Sequence, residues 1–156
     1  MDKQKILKAV FVAIEEDLRR QLAANELAAE GATHAEAKAE TKWDTCGLEQ
    51  SYLARGHAQQ FALLVEQLEA LRGFILPSFD AQTPIEVGAL ITAEIQNEQM
   101  HFFLLHCAGG LDLEVDGQSI TVITPESPVG AALLDKRVGD TYSFRAGMTG
   151  IIQSIC

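Results

Sequence analysis

The period of the hydrophobic residues changes once along this chain, and that change limits the folds open to it. Between Lys3 and Arg72 apolar residues recur at three- and four-residue steps, whereas beyond Ile85 they come in short runs separated by turn residues. A helical period buries one stripe of a helix and a two-residue period buries one face of a strand, so neither pattern can be swapped for the other. The sequence therefore predicts an α+β chain, with helices first and a β-rich part second. Gly73 to Pro84 interrupts both patterns, with Pro77 and Pro84 flanking SFDAQT. This predicts a helical domain over 1–74, a linker over 75–84 and a β domain over 85–156.

Residues 3 to about 30 read as one helix of about 40 Å at 1.5 Å per residue. Leu7, Phe11, Ile14, Leu18 and Leu22 form its apolar stripe, with Glu15, Glu16, Arg19 and Arg20 off it. A second helix is expected to resume near Thr33 and run to Arg72, with Gly47 and Gly56 as weak points. Its return stripe is Leu53, His57, Phe61, Leu64, Leu68 and Leu71. Two such stripes joined by a short connection predict an antiparallel coiled-coil hairpin. Helices lying flat on the second domain would need wider apolar faces than either has.

The connection, GATHAEAKAETKWD from Gly31 to Asp44, is then the hairpin tip, over about residues 31–46. Thr33 with Glu36 three residues on has the spacing of a capping box. Glu36, Glu40 and Asp44 fall at four-residue steps, which spreads them over roughly 80° of helix circumference. Lys38 and Lys42 point the other way. An acidic face at the end of a rod is the expectation, although a first helical turn favours acids for electrostatic reasons alone.

The candidate strands are Ile85–Gln96, Met100–Cys107, Gln118–Ile123, Thr141–Ala146 and Thr149–Ile155, separated by turn signals at Asn97, Gly109-Gly110, Asp116-Gly117 and Gly147. The formal net charge is −10, and residues 75–156 hold only 3 basic against 10 acidic side chains. So acidic a half is a poor match for DNA, whose binding rests on neutralising phosphates, and suits a basic protein surface or a metal. Cys46, Cys107 and Cys156 have no CxxC spacing, which suits free thiols in a reducing compartment. With no apolar run of roughly 20 residues and no signal-peptide pattern, a soluble cytoplasmic protein is expected.

The most specific run is Thr124-Pro125-Glu126-Ser127-Pro128-Val129-Gly130-Ala131-Ala132-Leu133-Leu134-Asp135-Lys136-Arg137-Val138-Gly139-Asp140. Ser127 is placed to cap a helix whose first position is Pro128, where the missing N–H is harmless. Leu133 and Leu134 would pack that helix on the sheet, and Gly139-Asp140 would turn the chain into the next strand. This run resembles the "TPxSPLGxALLGKxxGD" segment of the GreA/GreB family of bacterial transcription elongation factors, with Asp135 standing where the family usually has Gly. The resemblance extends over the chain, with 1–73 similar to the family's long coiled coil and 85–156 to its FKBP-like domain.

That resemblance implies a partner and a chemistry. The β-rich domain would dock at the rim of RNA polymerase's secondary channel, with Ser127 and Pro128 in the docking segment. Trp43, beside the acidic face, reads either as a contact inside the channel or as a staple for the hairpin turn. The coiled coil would insert toward the active centre. There Glu36, Glu40 and Asp44 would assist hydrolysis of backtracked RNA, and Glu40 and Glu36 would help hold a Mg²⁺ shared with the polymerase. Mg²⁺ takes hard oxygen ligands and keeps several waters, so one or two carboxylates suffice. The chain would bind no cofactor alone and would stimulate the polymerase's nuclease rather than act as an enzyme. Contact with nascent RNA would be indirect, with no sequence-specific DNA or membrane binding, and the chain is expected to be a monomer. The family's tip has an Asp followed three residues later by Glu-Asn; here Glu40-Thr41 holds the Glu-Asn place and Ala37 the Asp place. Cleavage stimulation, channel occupancy without cleavage, and an effect on initiation therefore stay open.

Other residues carry less. His101 and His106, read as five apart on one strand, face opposite ways and cannot share a metal. His57 reads as a seam residue, and Arg19, Arg20 and Arg55 as solvated surface. An FKBP-like peptidyl-prolyl isomerase or chaperone is the alternative from another class; its aromatic candidates are Phe102, Phe103, Tyr142 and Phe144. A coiled-coil dimerisation module is a third reading.

Overall fold

The computed structural model describes the backbone of residues 1–33, 46–145 and 148–156, and the side chains of these outside 25–54. The chain forms two compact units, one of Phe11–Gly73 and one of Met1–Val10 with Phe74–Cys156.

In the first unit, α1 (Lys3–Thr33) contributes its length beyond Val10, and α2 (Cys46–Arg72) the whole of its own. Ile14, Leu64, Leu68 and Leu71 are buried, and Phe11, Leu18 and Phe61 are half-buried, as the stripes predict. His57 Nδ1 lies 3.4 Å from Gln21 Oε1. Residue 21 meeting 57 is what antiparallel helices produce. Leu22 departs from the expectation at 44% exposed, because Gln21 occupies the seam beside it. Thr33 also departs: α1 runs through Gly31 to include it, so it does not begin the second helix. Gly47 and Gly56 do not break α2.

The second unit is a six-stranded sheet in the order β3-β4-β2-β1-β6-β5. The strands are β1 (Leu90–Ile95), β2 (Glu98–Leu104), β3 (Asp112–Val115), β4 (Gln118–Ile123), β5 (Thr141–Arg145) and β6 (Met148–Ile155), with α3 (Pro128–Leu133) between β4 and β5. β2 and β4 run parallel; the other neighbours are antiparallel. The hairpin between β1 and β2 turns at Gln96 and Asn97, with φ of 52° and 67°, and that between β3 and β4 at Asp116 and Gly117, with φ of 53° and 75°. Two successive left-handed residues give the turn whose twist matches that of the strands.

Period-two alternation fills the core. Ile91, Ala93, Ile95, Phe102, Leu104, Ile123 and Ile152 form one buried cluster with Leu133 of α3 and Tyr142 of β5. Leu90, Phe103, Ile120 and Val122, the alternate residues, are buried as well. The first turns of α1 belong to this unit and bury Ile6, Leu7 and Val10. Lys3 Nζ donates to the carbonyls of Pro77 at 2.6 Å and Gly88 at 3.3 Å and sits 4.8 Å from the Phe79 ring centroid. Lys5 pairs with Asp116 at 3.1 Å.

Two strand expectations are corrected. The run expected from Ile85 becomes a strand only at Leu90, because Ile85 is bonded elsewhere: its N–H donates to Lys136 O at 2.8 Å and its carbonyl accepts from Asp135 N at 3.0 Å. Gly88 then turns the chain with φ +93°. β3 was not expected at all.

Candidate partner-binding segment and its surroundings

The run Thr124–Asp140 folds around one carbonyl. Thr124 O accepts from Ser127 N at 2.9 Å and from Ser127 Oγ at 2.7 Å. The same Oγ accepts from Gly130 N at 3.0 Å, satisfying one of the orphan donors of the first turn of α3. Pro128 occupies the first turn, as the sequence predicts. A Cβ on Gly130 would stand 1.9 Å from Thr124 O, so only glycine lets the helix approach this loop. Gly109 presses on Thr124 from elsewhere, since a Cβ there would lie 2.9 Å from Thr124 Cγ2.

The far end of α3 is fixed just as closely. Leu134 N donates to Gly130 O at 2.9 Å, and Asp135 takes φ +63° before the exchange with Ile85. Leu133 is fully buried and Leu134 partly so. Arg137 N then donates to Asp140 Oδ2 at 2.8 Å, and Gly139 turns with φ +89° into β5. Ser127 is half-covered by its own bonds, whereas Pro128 and Glu126 are exposed. The segment thus presents Glu126 and Pro128 on a rigid support.

Glu36, Glu40, Trp43 and Asp44 lie outside the described residues, so no tip geometry follows. His106 lies beyond the end of β2, which corrects its expected place on a strand with His101. It meets the edge of Phe74 at 5.8 Å, while His101 Nδ1 lies 3.1 Å from Thr92 Oγ1. Among the described residues no group of three His, Cys, Asp or Glu could hold a metal ion. Burial pushes the Cys107 thiol up from its ordinary range. Arg20 pairs with Asp17 at 3.1 Å on the helix surface, and Arg19 and Arg55 are exposed, as solvated arginines would be. No described helix is long and apolar enough to cross a membrane.

Tyr142 has surroundings that the sequence did not announce. Its ring is 2% exposed, stacks on Phe144 with centroids 6.2 Å apart, and lies where any Cβ on Gly150 would collide with it at 2.6 Å. Among the described residues the hydroxyl has no hydrogen-bond partner, and burial raises its pKa to about 12. Gly150 facing an aromatic across two strands was the available signal, but it needs the register to be read.

No family profile matches the chain, and no curated protein does. Among solved structures the chain is similar to GreA factor homolog 1 (Gfh1) of Thermus thermophilus, at 18% identity over 96% of each chain with a TM-score of 0.40. It is also similar to Gfh1 of Thermus aquaticus, at 20% identity over 95% of this chain and 94% of that one, with a TM-score of 0.39.

Proposed function

We propose that this chain is a GreA/GreB-type factor that binds RNA polymerase at its secondary channel and carries an acidic helical tip toward the active centre. One observation carries the reading. Asp135, where the resembled family has glycine, takes a left-handed backbone at φ +63°, the conformation for which glycine is the default residue. The likeness therefore extends from letters to the backbone those letters need. Ser127 capping α3 and Gly130 closing on Thr124 support it in the same way.

In this reading Pro128, exposed beside the capping Ser127, belongs to the docking surface, and Trp43 contacts the channel. Glu36, Glu40 and Asp44 act only inside the polymerase. Mg²⁺ shared with the polymerase activates water and neutralises charge on the phosphate when bound. This chain's part is to supply carboxylate oxygens from Glu40 and Glu36, donors of the kind that ion takes. Phe102, Phe103 and Tyr142 are 3%, 0% and 2% exposed, and Phe144 is partly buried against the same core. Aromatic rings so buried count against a proline-peptide pocket and favour the channel factor over an isomerase.

The test is to add the protein to stalled, backtracked elongation complexes. RNA cleavage by the wild type, lost in Glu40→Ala, is the expected result. Binding without cleavage would place the chain among channel occupants. No binding and no change in polymerase behaviour would overturn the proposal.

A further inference from the structure

β5 is the last strand of the sheet, and nothing described pairs with its outer edge. The hydrogen bond from Ile152 N to Asp140 O at 3.0 Å sets the phase of the β5–β6 ladder. In an antiparallel ladder exchanged pairs alternate, so the next one falls at Tyr142 and Gly150, which are register partners. Thr141 and Ser143 therefore turn their N–H and C=O groups away from β6. Outside the strand ladder, no hydrogen bond among the described residues reaches either amide.

Both residues are exposed. They line a shallow groove of about 600 Å³ whose opposite wall is α3. Ala131 and Ala132 make that wall low, and Lys136 stands in it with no carboxylate within ion-pair distance among the described residues. An unpaired edge selects extended backbone, small side chains leave room for it, and a free ammonium selects a carboxylate.

We propose that this groove receives an extended peptide segment of a partner protein, added as a seventh strand along β5, with an acidic side chain directed to Lys136. The backbone groups of Thr141 and Ser143 supply affinity independent of sequence, and Lys136 supplies the preference for acid. This goes beyond the polymerase reading: the groove's wall belongs to the same Thr124–Asp140 run, but neither Pro128 nor the tip takes part.

Ser143→Pro is the informative variant. It deletes an outward N–H while leaving the Tyr142–Gly150 exchange intact, and edge strands are where proline is tolerated. The full-length protein is used to select from a display library of random nonapeptides, with Ser143→Pro as the counter-target. The selected peptides are then titrated into ¹⁵N-labelled protein. Expected are peptides carrying Asp or Glu at a fixed position, amide shifts centred on Thr141 and Ser143, and affinity lower by at least tenfold in Ser143→Pro. Lys136→Gln should erase the acid preference while keeping binding. If Ser143→Pro fails to fold, Ala131→Trp, which fills the groove from an exposed position, must give the same loss. No enrichment over the counter-target would overturn the proposal, as would peptides whose shifts map elsewhere. A wild-type dimer that Ser143→Pro makes monomeric would give the edge to a second copy instead.

Discussion

Three residues of the β-rich unit have conformations or surroundings that decide what replaces them. Gly130→Ala puts a methyl where Thr124 O already stands, at 1.9 Å from the ideal Cβ, and backbone cannot swing aside as a side chain can. The expected loss is roughly 3 kcal/mol or more, read as a lower denaturant midpoint. Asp135→Gly works in the opposite sense, because the residue is at φ +63°. Relief of a left-handed Asp should raise stability by roughly 0.5–1 kcal/mol, less what the freer unfolded chain gives back. Tyr142 carries a pH dependence. Burial raises its pKa from the ordinary 10.0 to about 12. Between those values the unfolded chain releases the proton while the native chain keeps it, so stability is whole below pH 10 and falls as pH climbs toward 12. Tyr142→Phe should flatten that fall in alkaline urea titrations. It should also leave stability at neutral pH unchanged or higher, since it removes a buried hydroxyl without a partner.

At the scale of elements, α2 offers the simplest test. A Cβ on Gly56 would meet nothing within 4 Å, so no packing reason requires glycine there. Gly56→Ala should stabilise the helix by about 0.5–1 kcal/mol, seen as a higher Tm. The strands show where the sequence was legible. Gln118–Ile123 matches β4 residue for residue, because Asp116-Gly117 punctuates its start and its apolar residues recur at step two. β3 escaped notice since Asp112 and Glu114 occupy the exposed half of a four-residue edge strand, and a pattern that polar and that short has no signature without its partner β4. Ile85 misled for the converse reason: it is apolar and fully buried, yet its bonds go to Asp135 and Lys136 rather than into the sheet. The capped helix could be read ahead because Ser127 and Pro128 act on near neighbours. The groove along β5 could not, because which strand ends a sheet is settled by long-range pairing.

For the molecule as a whole, the acidic balance dominates its behaviour toward partners. With a net charge of −10, association with a basic protein surface should slow and weaken steeply as salt rises from about 0.05 to 0.3 M, as the screening length contracts. On the proposed docking of this segment, Pro128→Ala should lower polymerase affinity by roughly tenfold with at most a small drop in Tm, since Pro128 is exposed and its change removes contact rather than core. The shortness of α3 has its own consequence. Six residues are too few to hold a helix in isolation. Its closing bonds run to Ile85, which lies on the far side of β1 through β4 in the chain. Leu133 also packs with Tyr142 and Ile152 of the strands that follow, so this element rests on the whole unit being assembled. On the proposed reading, the exposed proline beside it is offered to the polymerase by finished molecules alone, and a partly unfolded chain has nothing with which to compete for the same seat.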